Sequence, residues 1–211
     1  MIRTHGRFIS FEGIEGAGKS TVITAVADML TEQGLDVTVT REPGGTPLAE
    51  QLRSIVLARE SGEALTPEAE LLLVFAARAQ HLREVVRPVL ESGGAVICDR
   101  FTDASYAYQG GGRGLAVQHI DHLANWLHGD LWPDMTLLLD VPEELGLARI
   151  ARRAQLDRFE QEKAAFFARV REVYRKRAEA EPARFCVIDA REPLARVTEA
   201  ACTAVRARLG L

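Results

Sequence analysis

The chain has 211 residues, enough for one sizeable hydrophobic core and short for two independent ones. Residues are 47% hydrophobic and 27% charged, an ordinary globular balance, and a formal net charge of −4 argues against a nucleic-acid partner, which calls for a basic face. Cys98, Cys186 and Cys202 lack metal-ligand spacing, and no apolar run resembles a signal peptide or reaches membrane length, so a reduced, cytoplasmic setting with no membrane partner is expected.

Phe8-Ile9-Ser10-Phe11 reads as a short buried strand. Directly after it, Gly13-Ile14-Glu15-Gly16-Ala17-Gly18-Lys19-Ser20 fits the phosphate-loop pattern G-x-x-x-x-G-K-[ST], and Thr21–Leu30 carries apolar residues at helical spacing. Strand, glycine-rich turn and helix start is the context this pattern needs. Glycines allow backbone angles that aim successive N–H groups at phosphate oxygens, and the helix N-terminus adds partial positive charge. Lys19 can reach the outer phosphates and Ser20 can coordinate Mg²⁺. Lys19, Lys163 and Lys176 are the only lysines in an arginine-rich chain. A compact, flexible ammonium suits a phosphate that moves during a reaction better than a rigid guanidinium does.

Asp36–Thr40, Ala95–Cys98, Thr136–Leu139 and Phe185–Ile188 read as four further strands, with helical stretches between them and one or two helices over 67–91. Short continuous apolar runs separated by helices indicate a parallel sheet covered on both faces. The expectation is one α/β domain over 1–211, three layers deep, with a five-stranded parallel sheet flanked by helices. In such a fold ligands gather at the carboxyl ends of the strands, here occupied by Glu12, Arg41-Glu42-Pro43-Gly44-Gly45, Asp99-Arg100, Asp140 and Asp189. Asp189 reads as a solvated edge.

Past the third strand, Arg100 can clamp a phosphate bidentately and Asp99 can hold Mg²⁺ or its waters. Thr102–Gln109 packs hydroxyls, two tyrosines and an amide into one stretch, the mixture a base-reading site needs, and Gly110–Gly114 reads as a flexible loop. In the apolar helix 70–82, Phe75 and Arg78 lie three residues apart and share a face. His81 and the other histidines show no partner spacing and read as surface residues. Arg149, Arg152, Arg153 and Arg158 form the last cluster; beside a phosphate loop, an arginine-rich segment over about 149–162 suggests a lid that neutralises transferring charge and excludes water. A guanine-nucleotide switch would need N-K-x-D and D-x-x-G, yet Asn125 is the only asparagine and Trp126 follows it.

Taken together, Phe11–Thr21, Thr40–Thr46, Phe75–Arg78, Asp99–Phe101, Tyr108–Gly114 and Leu156–Glu160 closely resemble bacterial thymidylate kinase, over nearly the whole chain. The resemblance implies a P-loop kinase fold, transfer of the γ-phosphate of ATP to dTMP with Mg²⁺, and a homodimer. It places ATP on Gly13–Thr21, the metal at Ser20 and Asp99, and dTMP among Glu15, Arg53, Phe75, Arg78, Arg100, Ser105, Tyr108 and Gln109. Glu15 would face the 3′-hydroxyl, Arg100 the acceptor phosphate, Tyr108 the deoxyribose, and Arg78, Ser105 and Gln109 the thymine edge. Pro43 matches the family's cis-proline turn. Several relatives carry the stacking aromatic four residues before the helix arginine, where this chain has Val74, and the stacking role is assigned to Phe75. One branch of the family places a basic residue inside the phosphate loop; Ala17 occupies that position here. The catalytic set is therefore Lys19, Arg100 and a lid arginine, with Arg153 and Arg158 the leading candidates.

Overall fold

Strands form where apolar runs can pair and be covered, fully at the centre of a sheet and partly at its edges, and five do so here. In the computed structural model, which describes residues 6–58, 63–151 and 157–211, β1 (Arg7–Glu12), β2 (Val37–Arg41), β3 (Ala95–Asp99), β4 (Met135–Asp140) and β5 (Phe185–Asp189) make one parallel sheet in the order β2-β3-β1-β4-β5. The central strands are the apolar ones: β1, β3 and β4 are almost wholly buried, whereas the edge strands β2 and β5 expose alternate residues. Each strand lies within two residues of its predicted position.

Nine helices, α1 (Lys19–Glu32), α2 (Pro47–Leu57), α3 (Pro67–His81), α4 (Arg87–Glu91), α5 (Thr102–Ser105), α6 (Val117–Leu127), α7 (Glu143–Ile150), α8 (Ala164–Ala180) and α9 (Leu194–Leu209), are found among the described residues. Two of them start on the same device. Thr46 and Thr66 accept a hydrogen bond from the backbone N–H three residues on, and proline follows each, satisfying an orphan donor and presetting the first turn. α3 passes through a π-helical turn, Leu82–Val86, into α4. The main core joins α1 and α9 to the sheet, with Val22, Val26, Leu30, Val197, Ala201 and Val205 buried beside Phe11 and Leu137. None of the described helices is long and apolar enough to cross a membrane.

Two expectations are corrected. Of the stretch Gly110–Gly114 read as a flexible loop, Gly110–Gly112 instead end a π-helical segment, Tyr106–Gly112, continuous with α5 and packed on α8, and only Arg113 and Gly114 leave it. A Cβ on Gly111 would fall 2.6 Å from Val173, and one on Gly112 would fall 2.5 Å from the Phe166 ring, so the glycines serve close helix approach. His81 and His128 are not surface residues: both are buried, and polar neighbours accept them there.

β1 lies between β3 and β4, so the chain winds outward in opposite directions from it. The topological switch point therefore falls at the carboxyl end of β1, where the phosphate loop begins.

Candidate functional site

The phosphate loop leaves β1 with Gly13 at φ 136° and Gly16 at φ 77°, angles that L side chains rarely adopt. Gly16 also admits α7 against the loop, since a Cβ there would sit 2.2 Å from the Gly146 carbonyl. Lys19 opens α1; its Nζ donates to the Gly13 carbonyl at 3.3 Å and lies 3.9 Å from Asp99 Oδ1. Burial, with Arg100 nearby, pulls the Lys19 ammonium below its ordinary pKa, against the opposing pull of Asp99, Glu15 and Glu12. Asp99 Oδ1 is buried with no hydrogen-bond partner.

A cleft of about 530 Å³ opens above the loop. Its walls include Glu15–Thr21, Arg41–Pro43, Arg53, Val74, Arg78, Asp99–Phe101, Ser105, Tyr108, Gln109, Arg149 and Phe159. Elements far apart in sequence thus present one concave surface with a phosphate loop at one end and arginines, tyrosine and amide at the other.

Arg100 organises the middle. Its backbone is strained at φ 72°, the one positive φ outside glycine among the described residues. The strain is held on both sides: Arg100 N–H donates to the Phe11 carbonyl, and Phe101 N–H donates to Glu12 Oε1 at 2.7 Å. The guanidinium then donates to the Gly13 carbonyl, to the Tyr174 hydroxyl and, at 2.8 Å, to Glu15 Oε1. Tyr108 donates to the other Glu15 oxygen at 2.7 Å, beneath the Arg100 guanidinium at 4.7 Å from ring centroid. Burial disfavours the cation, but Tyr108, Glu15, Tyr174 and Asp99 outweigh it and hold Arg100 above its ordinary pKa.

Arg78 is fixed as firmly. Its Nε donates to Glu42 Oε2 at 2.6 Å, and its two terminal nitrogens donate to Ser105 Oγ and the Phe101 carbonyl. Glu42 accepts in addition from His81 at 2.8 Å, and the Glu42–Pro43 peptide is cis, as the motif led one to expect. Opposite, Arg53 donates to the Pro43 carbonyl and makes no ion pair among the described residues. Burial and the neighbouring Arg41 pull its guanidinium below its usual value, a cost an anion in the cleft relieves.

Phe75 departs from expectation. It does not line the cleft; it packs with Leu71, Tyr106 and Ile120, and the Arg78 guanidinium lies over its ring at 4.4 Å. Val74 occupies the wall instead. The helix places residues 74 and 78 on one stripe, and 75 a further 100° round. Of the arginine cluster, Arg152 and Arg153 lie outside the described residues. Arg149 donates to the Gly16 and Ala190 carbonyls beside the phosphate loop. Arg158 donates through Nε to the Val56 carbonyl and through a terminal nitrogen to Glu70.

A family model described as thymidylate kinase matches residues 11–201. The chain belongs to the thymidylate kinase family. It is 58% identical over 195 residues to the thymidylate kinase of Pseudomonas entomophila strain L48, covering 92% of each chain, and 59% identical over 192 residues to that of Pseudomonas savastanoi pv. phaseolicola, covering 91% of each. A crystal structure of thymidylate kinase from Ehrlichia chaffeensis superposes with a TM-score of 0.76 at 32% identity, over 95% of this chain and 98% of that one. Members of this family are nucleoside monophosphate kinases, so the chain is a phosphotransferase that acts on small nucleotides with ATP as donor. That activity suits a cleft with a phosphate loop at one end and a polar, aromatic pocket at the other.

Several residues of the site escape sequence reasoning. Arg78 is expected at the site, but its buried ion pair with Glu42, just past β2, and the bond from His81 to the same carboxylate are not, since no local spacing joins Glu42 to α3. Tyr174 sits among arginines on α8 with no local sign that it reaches β1. Glu70 left a trace: a carboxylate next to the apolar run 71–77 needs partners that the run itself does not supply.

Proposed function

We propose that this enzyme transfers the γ-phosphoryl group of ATP to dTMP, yielding ADP and dTDP, within one domain spanning 1–211 and in the cytoplasm. The observation that carries the reading is the two-ended cleft, in which Lys19 and the loop N–H groups face the same space as Arg53, Arg78 and Arg100. ATP phosphates would rest on Gly13–Thr21. The dTMP phosphate would take up Arg53 and Arg100, the first of which makes no ion pair among the described residues. Glu15 and Tyr108, already joined by a hydrogen bond, would bracket the deoxyribose, with Glu15 at the 3′-hydroxyl. Arg78, Ser105 and Gln109 would read the base edge and Val74 would supply its apolar wall.

The residues present fit a divalent cation. Asp99 Oδ1 is a buried carboxylate oxygen with no hydrogen-bond partner among the described residues, and Ser20, in the first turn of α1, lines the same cleft. Ser20 and Asp99 would hold Mg²⁺ together with nucleotide phosphates, the usual protein share for this ion. Once bound, the ion neutralises phosphate charge and orients the donor. Lys19, Arg100 and an arginine from the 149–162 lid, Arg153 or Arg158, would align the two phosphates and stabilise charge on the transferring group; the protein performs no covalent step. Lid closure would require Arg158 to exchange Glu70 for the phosphates.

A homodimer, which the family resemblance implies, would cover some of the exposed apolar side chains, Leu48, Ile55, Leu72 and Trp126 on α2, α3 and α6. An ADP-release assay with dTMP, dUMP, dCMP and AMP as acceptors tests the reading. Preference for dTMP supports it; equal or faster turnover of AMP or dCMP overturns it.

A further inference from the structure

Glu70 is fully buried, on the same stripe of α3 as Val74 and Arg78, which line the cleft. Its Oε1 accepts from Gln109 Nε2 at 2.8 Å. Its Oε2 accepts from Arg113 Nε at 3.0 Å and from Arg158, and Arg113 is braced in turn by Glu162. Three donors from two separate segments, Gln109 and Arg113 on one and Arg158 on the other, therefore converge on one carboxylate.

The chemistry of that carboxylate fixes an orientation. A primary amide offers two donors on one arm and an acceptor on the other, and a carboxylate flanked by guanidiniums can only accept. Gln109 must therefore turn its NH₂ to Glu70, which leaves the Oε1 carbonyl as its one acceptor, on the arm away from Glu70. That carbonyl has no hydrogen bond among the described residues, and Gln109 lines the cleft. Arg78 and Ser105, the other polar groups on this wall, are bonded to each other. Turning the amide over would set its carbonyl against the Glu70 carboxylate, two acceptors at hydrogen-bond distance, and cost both groups their partner.

We propose that Glu70 is a specificity-positioning residue: by holding the Gln109 amide with its carbonyl toward the cleft, it selects a base that presents an N–H donor there. This rests on the reading of the cleft as the dTMP pocket. A thymine or uracil ring carries a protonated N3 and satisfies the carbonyl. A cytosine ring carries an N3 lone pair, and two acceptors then face each other. Glu70 touches no substrate; it acts through Gln109, and Arg113 keeps it in place.

The test is the ratio of kcat/KM for dTMP to kcat/KM for dCMP. In Glu70→Gln the new amide can donate or accept, so Gln109 is free to turn over. The ratio is expected to fall about tenfold, the worth of one mismatched buried hydrogen bond. In Gln109→Met the ratio falls likewise, and adding Glu70→Gln changes it no further, because the group through which Glu70 acts is gone. A merely structural role predicts something different: both efficiencies decline together and the ratio holds, or the second substitution lowers the ratio again in the Gln109→Met background. Either result overturns the proposal. Should Glu70→Gln fail to fold, Gln109→Met alone decides, since an unchanged ratio there removes the selecting group. Failure of the unsubstituted enzyme to prefer dTMP would instead refute the pocket reading itself.

Discussion

Tyr174 donates its hydroxyl proton to Glu12 across 2.6 Å although 162 residues separate them. The same hydroxyl accepts from Arg100, whose strained backbone is anchored on its other side by the Phe101 N–H bond to Glu12. One buried carboxyl on β1 thus supports both the side chain and the main chain of the arginine at the centre of the cleft.

Burial, with Asp103 adding to it, pushes Glu12 up to about 8, against the pull of Arg100, Tyr174 and the Phe101 N–H. A carboxyl raised above its unfolded value keeps its proton in the folded state where the unfolded chain has lost it. Its contribution is therefore complete below about pH 4.5 and is lost as pH climbs from there to about 8, a change on the order of a few kcal/mol. Glu12→Gln, a neutral isostere, should flatten the decline of thermal stability between pH 5 and 8. Melting curves across that range check this; an unaltered slope contradicts it.

His128 titrates in the opposite sense. Burial and the Arg78 charge bring its pKa down to about 4, so the folded state favours the neutral ring. Stability should fall as pH drops from 6.5 towards 4. His128→Gln should remove part of that acid sensitivity, measured by urea midpoints at pH 4.5 and 7.

The pair of Arg78 and Glu42 is almost inaccessible, at 1% and 2% exposure. Arg78→Met leaves Glu42 buried with His81 as its remaining side-chain partner, a loss of about 3–5 kcal/mol. The melting temperature should drop by roughly 10 °C for a chain of this size. Calorimetry decides, and a shift within 2 °C would mean that the carboxylate finds another partner.

Arg158→Ala is expected to lower kcat by about 10²–10³-fold, the worth of a donor aimed at developing charge, with a far smaller rise in KM for dTMP. Steady-state kinetics separates the two. An unchanged kcat with weakened dTMP binding removes Arg158 from the transferring phosphate and leaves Arg153 to be tested.

Arg53→Ala should do the reverse. Its guanidinium has no anionic partner among the described residues, and the loss of one charge-assisted bond to the acceptor phosphate should raise KM for dTMP roughly tenfold to a hundredfold. An equal loss for dTMP and for ATP would show that Arg53 shapes the cleft and does not select its acceptor end.

The chain itself determined the five strands, their parallel arrangement and the phosphate loop. Those depend on local signals: continuous apolar runs and glycines at fixed spacing. It also marked Arg53, Arg78, Arg100, Ser105, Tyr108 and Gln109 as neighbours of one cleft through the resemblance of their motifs. Tertiary structure alone decided that Val74 and not Phe75 meets the cleft, because one helical residue is a turn of about 100°. It alone decided that His81 is buried against Glu42, that Gly111 and Gly112 are packing surfaces, and that Tyr174 and Glu70 support Arg100 and Gln109. A sequence records which polar groups exist. Which of them lose water together, and must therefore find one another, is fixed only when the chain closes on itself.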